Sequence, residues 1–238
     1  MEKLIYPLWK QADNEADDFR DELLAELAPA LCESPAVRGL RLCVADSAVA
    51  LAADRRMENT GSVPDAVLSV WVDYAGQALS FEPLIDAHVS ARGCYLVAEA
   101  EPLVSRHTHP GAPGERVYGM CHVVFMDPPA ELDREEWLAI WKDSHTQVAI
   151  DTQSTFGYRQ NVVVRALGDT RPCHAIVEEN FPPEAMDSDH AFYATGGDEE
   201  LLQRNMTAMI ESCSRFIDLA HIDVLPMSEY LLKPLVRD

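Results

Sequence analysis

In the stretch WLAIWKDSHTQVAI, residues 137–150, Trp137, Trp141 and His145 follow one another at intervals of four. That spacing sets all three on one side of a helix. Two indoles need cover, so this side turns toward the rest of the protein and takes His145 with it. An imidazole enclosed among apolar rings can take up or return a proton, because its charge change falls near neutrality and burial favours the neutral base. Spacing alone leaves a second role open, and it is the commoner one: a packed histidine whose ring nitrogens bond a carbonyl or water.

Other residues invite the same question. His122 sits in the middle of an apolar run and, by alternation, shares a face with Val124. That face lines either a pocket or the junction between two halves of the chain, and a core histidine is the plainer reading. Glu178 and Glu179 adjoin within AIVEENF, so their side chains go to opposite faces. An inward one is expected to be ion-paired or protonated, and in the second case it is a possible acid. His174 and His190 are further histidines that could face a cleft. His107 and His109 form an HxH pair in a loop, but no third ligand has metal spacing, so a solvated linker is expected and no metal site is assigned. Six cysteines without a CxxC read as buried free thiols. There is no phosphate-cradling glycine loop, no G-x-S-x-G and no nucleophile beside a base, which disfavours nucleotide chemistry and acyl-enzyme mechanisms.

Charge narrows the partners. Against 40 acidic residues stand 19 basic ones, and a net charge of -21 repels phosphate backbones and anionic lipid surfaces. Neither nucleic acid nor a membrane is an expected partner. The first residues lack the apolar core of a secretory signal and no long apolar run follows, so a cytoplasmic location is expected.

The elements that must position these residues form two sets. HTHPGAPGER, 107–116, is the strongest break and divides the chain into modules of 1–106 and 117–238. In the second module VYGMCHVVFM is a strand, Asp133 and Glu136 have the form of a capping box, and a helix runs from about 134 to 150. GYRQNVVVRAL and CHAIVEENF are strands, residues 201–219 a helix with Phe216 on its stripe, and IDVLPMSEYLL a closing strand. The first module reads in the same order from KLIYPLW to CYLVAEAEPLV. β-α-β-β-α-β is the ferredoxin-like order, whose helices cover one face of an antiparallel sheet. Two such units bury their bare faces on each other, so the expected fold is α+β, two ferredoxin-like modules fused into a pseudo-dimer of the dimeric α+β barrel type.

DREEWLAIWKDSHTQVA, then GYRQNVVV, then AIVEENF and DHAFYA, then FIDLAHIDVLPMSEYLL together resemble the EthD family of the dimeric α+β barrel superfamily. The resemblance implies a pocket between helix and sheet with His145 as the catalytic group and Tyr158 and Asn161 as its neighbours. With Trp137, Trp141, His122 and Phe181, these form the expected binding residues for a flat, apolar or aromatic small molecule with an acidic hydroxyl or C–H. His145 then removes a proton, and Asn161 or Tyr158 donates to the resulting oxyanion. The anion can react with dioxygen, which makes a cofactor-independent monooxygenase-like oxidoreductase, or can eliminate or cyclise, which makes a lyase, cyclase or dehydratase. A haem protein and a non-catalytic carrier are the rivals. Laying Trp137 on Phe19 puts His145 on Leu27, Tyr158 on Leu40 and Asn161 on Cys43, so one site per chain is expected. Fused repeats cover one another, so a monomer suffices, with a homodimer as the other option.

Overall fold

The computed structural model of the protein describes residues 1–105 and 108–235; His107 of the HxH pair lies outside the described residues. Eight strands make the body: β1 (Glu2–Trp9), β2 (Gly39–Val44), β4 (Ala66–Val72), β6 (Cys94–Leu103), β7 (Met120–Met126), β8 (Gly157–Leu167), β9 (Ala175–Phe181) and β10 (Asp223–Lys233). Short strands β3 (Met57–Glu58) and β5 (Ala91–Arg92) pair with β10 and β1. The order is β2-β4-β1-β6-β8-β9-β7-β10, and β10 pairs back onto β2, which closes an antiparallel barrel. Each half contributes four strands in the same relative order, β2-β4-β1-β6 and β8-β9-β7-β10.

Both faces of these strands are buried, for different reasons. Ile5, Val67, Tyr95, Cys121, Val123, Phe125, Ile176 and Leu225 point inward and meet in the barrel core. Their neighbours in sequence point outward under helices. Leu4, Tyr6, Leu68 and Val70 pack beneath α1 (16–33). Val124, Met126, Tyr158 and Val177 pack beneath α3 (134–152) and α5 (Glu199–Cys213). The short α2 (Glu82–Asp86) and α4 (Asp189–Phe192) complete the outer layer.

Inside the barrel the apolar core ends in a layer of charge. Lys3 Nζ lies 2.8 Å from Glu178 Oε2, Arg159 Nη2 lies 2.9 Å from Glu229 Oε2, and Arg41 Nε lies 2.9 Å from Glu229 Oε1. Glu99 lies 3.5 Å from Lys3. Lys3, Arg41 and Glu99 come from the first half, Arg159, Glu178 and Glu229 from the second, so the network ties the two halves across the barrel. Opposed charges hold both Glu178 and Glu229 below the usual carboxylate range, against the upward push of burial.

Of the three long outer helices, α1 and α3 each contain one π turn, Leu23–Leu27 and Ile140–His145, where plain helices are expected from the sequence. The turns end at Leu27 and His145, the two positions that laying Trp137 on Phe19 pairs. α3 starts where the capping box is read: the Asp133 carboxylate accepts from the Glu136 amide at 2.9 Å. α5 is shorter than the stripe to Phe216 implies and stops at Cys213, because residues 214–217 turn to bring Phe216 back under α3. There the Phe216 carbonyl accepts the Trp137 indole N–H at 3.0 Å. Gly119, just before β7, has φ +75°, and a Cβ there would lie 1.9 Å from the Phe181 carbonyl oxygen, so only glycine lets β7 pack against the end of β9. No helix among the described residues is long and apolar enough to cross a membrane.

Candidate active site between sheet and helices

The outer face of β7–β10 and the helices above it enclose a cavity of about 360 Å³, a size in the range of small-molecule pockets. The floor consists of His122 and Val124 on β7, Tyr158 on β8, Val177 and Glu179 on β9 and Val224 on β10. Trp141 and His145 come down from α3, Met209 and Cys213 from α5, and Phe216 follows from the turn after it. The mouth takes Asp54, Arg55 and Met57 from the first half. Arg55 stands 4.3 Å over the Phe192 ring and pairs with Asp189 at 3.1 Å.

His145 is held in the cavity wall by two contacts. Its Nδ1 is 2.9 Å from the Ser212 hydroxyl of α5, and its ring lies 4.6 Å from that of Phe216. The π turn places it there: the Thr146 amide bonds the Trp141 carbonyl five residues back, and the Thr146 hydroxyl bonds the same oxygen at 2.9 Å. Such π turns recur at functional sites because they displace one side chain from the helical register. Burial, with the Arg215 cation second, lowers its pKa to about 4, so the imidazole is neutral around pH 7. His122 is lowered to about 3 by burial and then by Arg55.

Of the expected binding residues, His122, Trp141, Tyr158 and His145 meet at this cavity. Trp137 does not reach it: fully buried, it packs on Trp141 at 5.5 Å and bolts α3 to the Phe216 turn. Phe181 lies behind the wall, stacked on Phe192 at 4.5 Å and beside His122 at 5.0 Å. Asn161 corrects the expectation most sharply. It is three residues from Tyr158, and strand alternation sends it to the opposite face, into the barrel. There it accepts from Lys3 at 2.8 Å and donates to Glu178 at 3.0 Å, so it offers no donor to the cavity.

Glu178 and Glu179 divide as adjacent strand residues must, with Glu178 in the barrel network and Glu179 on the cavity floor. Glu179 is half-buried; its Oε1 is enclosed and has no hydrogen-bond partner, and burial pushes its carboxyl up to about 7. Sequence reasoning flagged the pair but placed no Glu179 in the site. It also missed Gln153 and the mouth residues from the first half, for which no local motif exists. His174 is exposed and 2.7 Å from Asp127, and His190 bonds Thr195, so neither enters the cavity. His109 stacks on Tyr118 at 4.7 Å. Among the described residues, no group of three or more His, Cys, Asp or Glu is placed to hold a metal ion.

The corresponding space under α1 is filled. Phe19, Leu23, Leu27 and Leu31 close onto Tyr6 and Phe81, all buried, so apolar side chains occupy what is open in the second half.

No protein-family model matches the chain, and no curated protein matches it by sequence. Solved structures do. An anthrone oxidase-like protein superposes with a TM-score of 0.51 at 12% identity, over 99% of this chain and 95% of that one. A candidate monooxygenase of Fusobacterium nucleatum subsp. nucleatum superposes with a TM-score of 0.51 at 10% identity, over 98% of this chain and 92% of that one. The chain has the fold of the dimeric α+β barrel proteins. At such identities the likeness concerns fold, and chemistry has to be argued from the cavity.

Proposed function

We propose that this protein is an oxidoreductase that removes a proton from a flat, apolar or aromatic small molecule in the His145 cavity and delivers the anion to dioxygen. The observation that carries the reading is the cavity itself: an apolar hollow of about 360 Å³ in whose wall a neutral imidazole is fixed by Ser212. Trp141, Phe216 and Val177 suit the faces of a ring system, and His145 is uncharged at the pH where a base must be free. The names of the superposing structures, an anthrone oxidase-like protein and a candidate monooxygenase, agree with this chemistry.

For an anthrone-type substrate the steps balance. His145 takes one hydrogen of the ring methylene as a proton, the carbanion forms a C–O bond to dioxygen, and the returning proton gives a hydroperoxide. Loss of water then leaves a quinone, so one dioxygen is consumed and one water released. We read the chain further as two ferredoxin-like modules in tandem, the second of EthD type and carrying the site, the first serving as scaffold. The shared strand order and the paired π turns support that division.

The test is dioxygen uptake by the purified protein with anthrone in air-saturated buffer, measured above the buffer rate. Uptake of one dioxygen per quinone formed supports the reading. Product without dioxygen uptake overturns it in favour of a lyase, cyclase or dehydratase. Binding without turnover overturns it in favour of a carrier.

A further inference from the structure

A base held near 4 takes a proton only from a carbon whose anion is strongly stabilised, so the cavity needs a group that receives negative charge on oxygen. Asn161 is on the wrong face. The sheet itself supplies an alternative. His122, Glu179 and Tyr158 are direct cross-strand partners on β7, β9 and β8, and all three face the helices. Apolar pairs flank this polar row: Val124 with Val177 on one side, Met120 with Phe181 on the other.

We propose that the side chains of Glu179 and Tyr158 form an oxyanion site on the cavity floor, and that the substrate is an aromatic whose own oxygen becomes anionic between them. The inference rests on the proposed proton abstraction and names the substrate class it acts on.

Three of the residues that line the cavity each carry an enclosed polar atom with no hydrogen-bond partner in the protein: Glu179 Oε1, His122 Nε2 and Gln153 Oε1. Buried polar atoms are partnered in the great majority of cases, so a cavity floor that carries such atoms is suited to a polar group of a ligand, reached by a small turn of these side chains. Tyr158 is poised to donate. Its hydroxyl accepts the Trp141 indole N–H at 2.9 Å and lies against the Gln160 side chain, and its own O–H is the donor it can turn to a substrate oxygen. Glu179 differs from Glu178 in this respect. Glu178 has Lys3 and Arg159 around it and is ionised, whereas burial alone acts on Glu179 and favours the acid form, which donates. A neutral carboxylic acid beside a phenol is a suitable pair of donors for an enolate or phenolate oxygen.

The titratable and charged groups that share the cavity with Glu179 are His122, Tyr158, Tyr193, His145 and Cys213, with Asp54 and Arg55 at the mouth. The two histidines change charge near 3 and 4, Cys213 is pushed up to about 12, and Tyr158 lies higher still. Between pH 6 and 8.5, Glu179 is therefore the group on the floor that titrates. Below about 7 it donates to an anion; above, its own charge repels one.

The experiment uses two probes on the full chain, 2,4-dinitro-1-naphthol, which is ionised throughout, and its uncharged methyl ether. Naphtholate affinity is expected to fall about ten-fold or more from pH 6 to 8.5 as the carboxyl ionises, while the ether shows no such change. Glu179→Gln keeps an N–H donor and cannot ionise, so it should bind naphtholate with a flat profile. Tyr158→Phe should weaken naphtholate more than ether. A flat wild-type profile, a slope that survives in Glu179→Gln, or binding of neither probe overturns the proposal. Dioxygen uptake is read separately. Correct probe behaviour without turnover of any aromatic sinks the oxidoreductase reading alone, and turnover with a flat profile sinks the oxyanion site alone.

Discussion

Replacing His145 with alanine should lower turnover by about 10²–10⁴-fold, the span of general acid–base catalysis, and change the affinity for a neutral ring such as the naphthyl ether only a few-fold. The asymmetry follows from its position. His145 presents one face of a ring to a cavity whose apolar surface comes mainly from Trp141, Phe216, Val177 and Met209, so binding survives its loss. At pH 6 proton removal does not survive, since His122 is held lower still and Glu179 is mainly in the acid form below about 7. Ser212→Ala should produce a smaller loss, because it removes the hydroxyl that orients the ring and leaves the imidazole in place. Steady-state kcat and KM with ligand affinities measured in parallel check both, and a kcat within three-fold of wild type in His145→Ala would move the proton acceptor elsewhere.

The second large effect concerns stability. Arg159 is fully buried and lies 2.9 Å from Glu229 and 3.6 Å from Glu178. Arg159→Ala strands both carboxylates inside the barrel with Lys3 and Arg41 as their remaining cations. Breaking such a buried network by removing one partner costs about 3–5 kcal/mol, readable as a lower denaturant midpoint. Pairing the change with Glu229→Gln should recover part of the loss, since one stranded charge disappears as well. A shift under about 1 kcal/mol would mean that water reaches these carboxylates. Because the network joins strands of both halves, the cost should appear as destabilisation of the whole barrel in one transition.

How much of this could be read in advance depends on which physical signal each residue leaves. Strand runs, the helix start at Asp133 and the Trp–Trp–His spacing are local, and each has its counterpart in the structure, the Asp133 carboxylate supplying its half of the capping box. Facing is another matter. In a barrel whose strands are buried on both sides, hydrophobicity no longer distinguishes inside from outside. Alternation alone would still have separated Tyr158 from Asn161, since an odd spacing puts two residues on opposite faces. Glu178 and Glu179 left a readable mark as two carboxyls in an apolar strand, but which one is ion-paired depends on Lys3, 175 positions away in sequence. The π turns and the mouth formed by Asp54, Arg55 and Met57 have no local signature, because each depends on packing between distant segments.

The most direct test of the account is a crystal structure of the complex with 2,4-dinitro-1-naphthol. The rings should lie in the cavity between Trp141 and Val177, with the naphtholate oxygen within about 3 Å of Tyr158 Oη and of a Glu179 carboxyl oxygen and with His145 at the ring edge. Density for the probe in the barrel mouth beside Arg41, or anywhere that leaves the His145 cavity untouched, would contradict it.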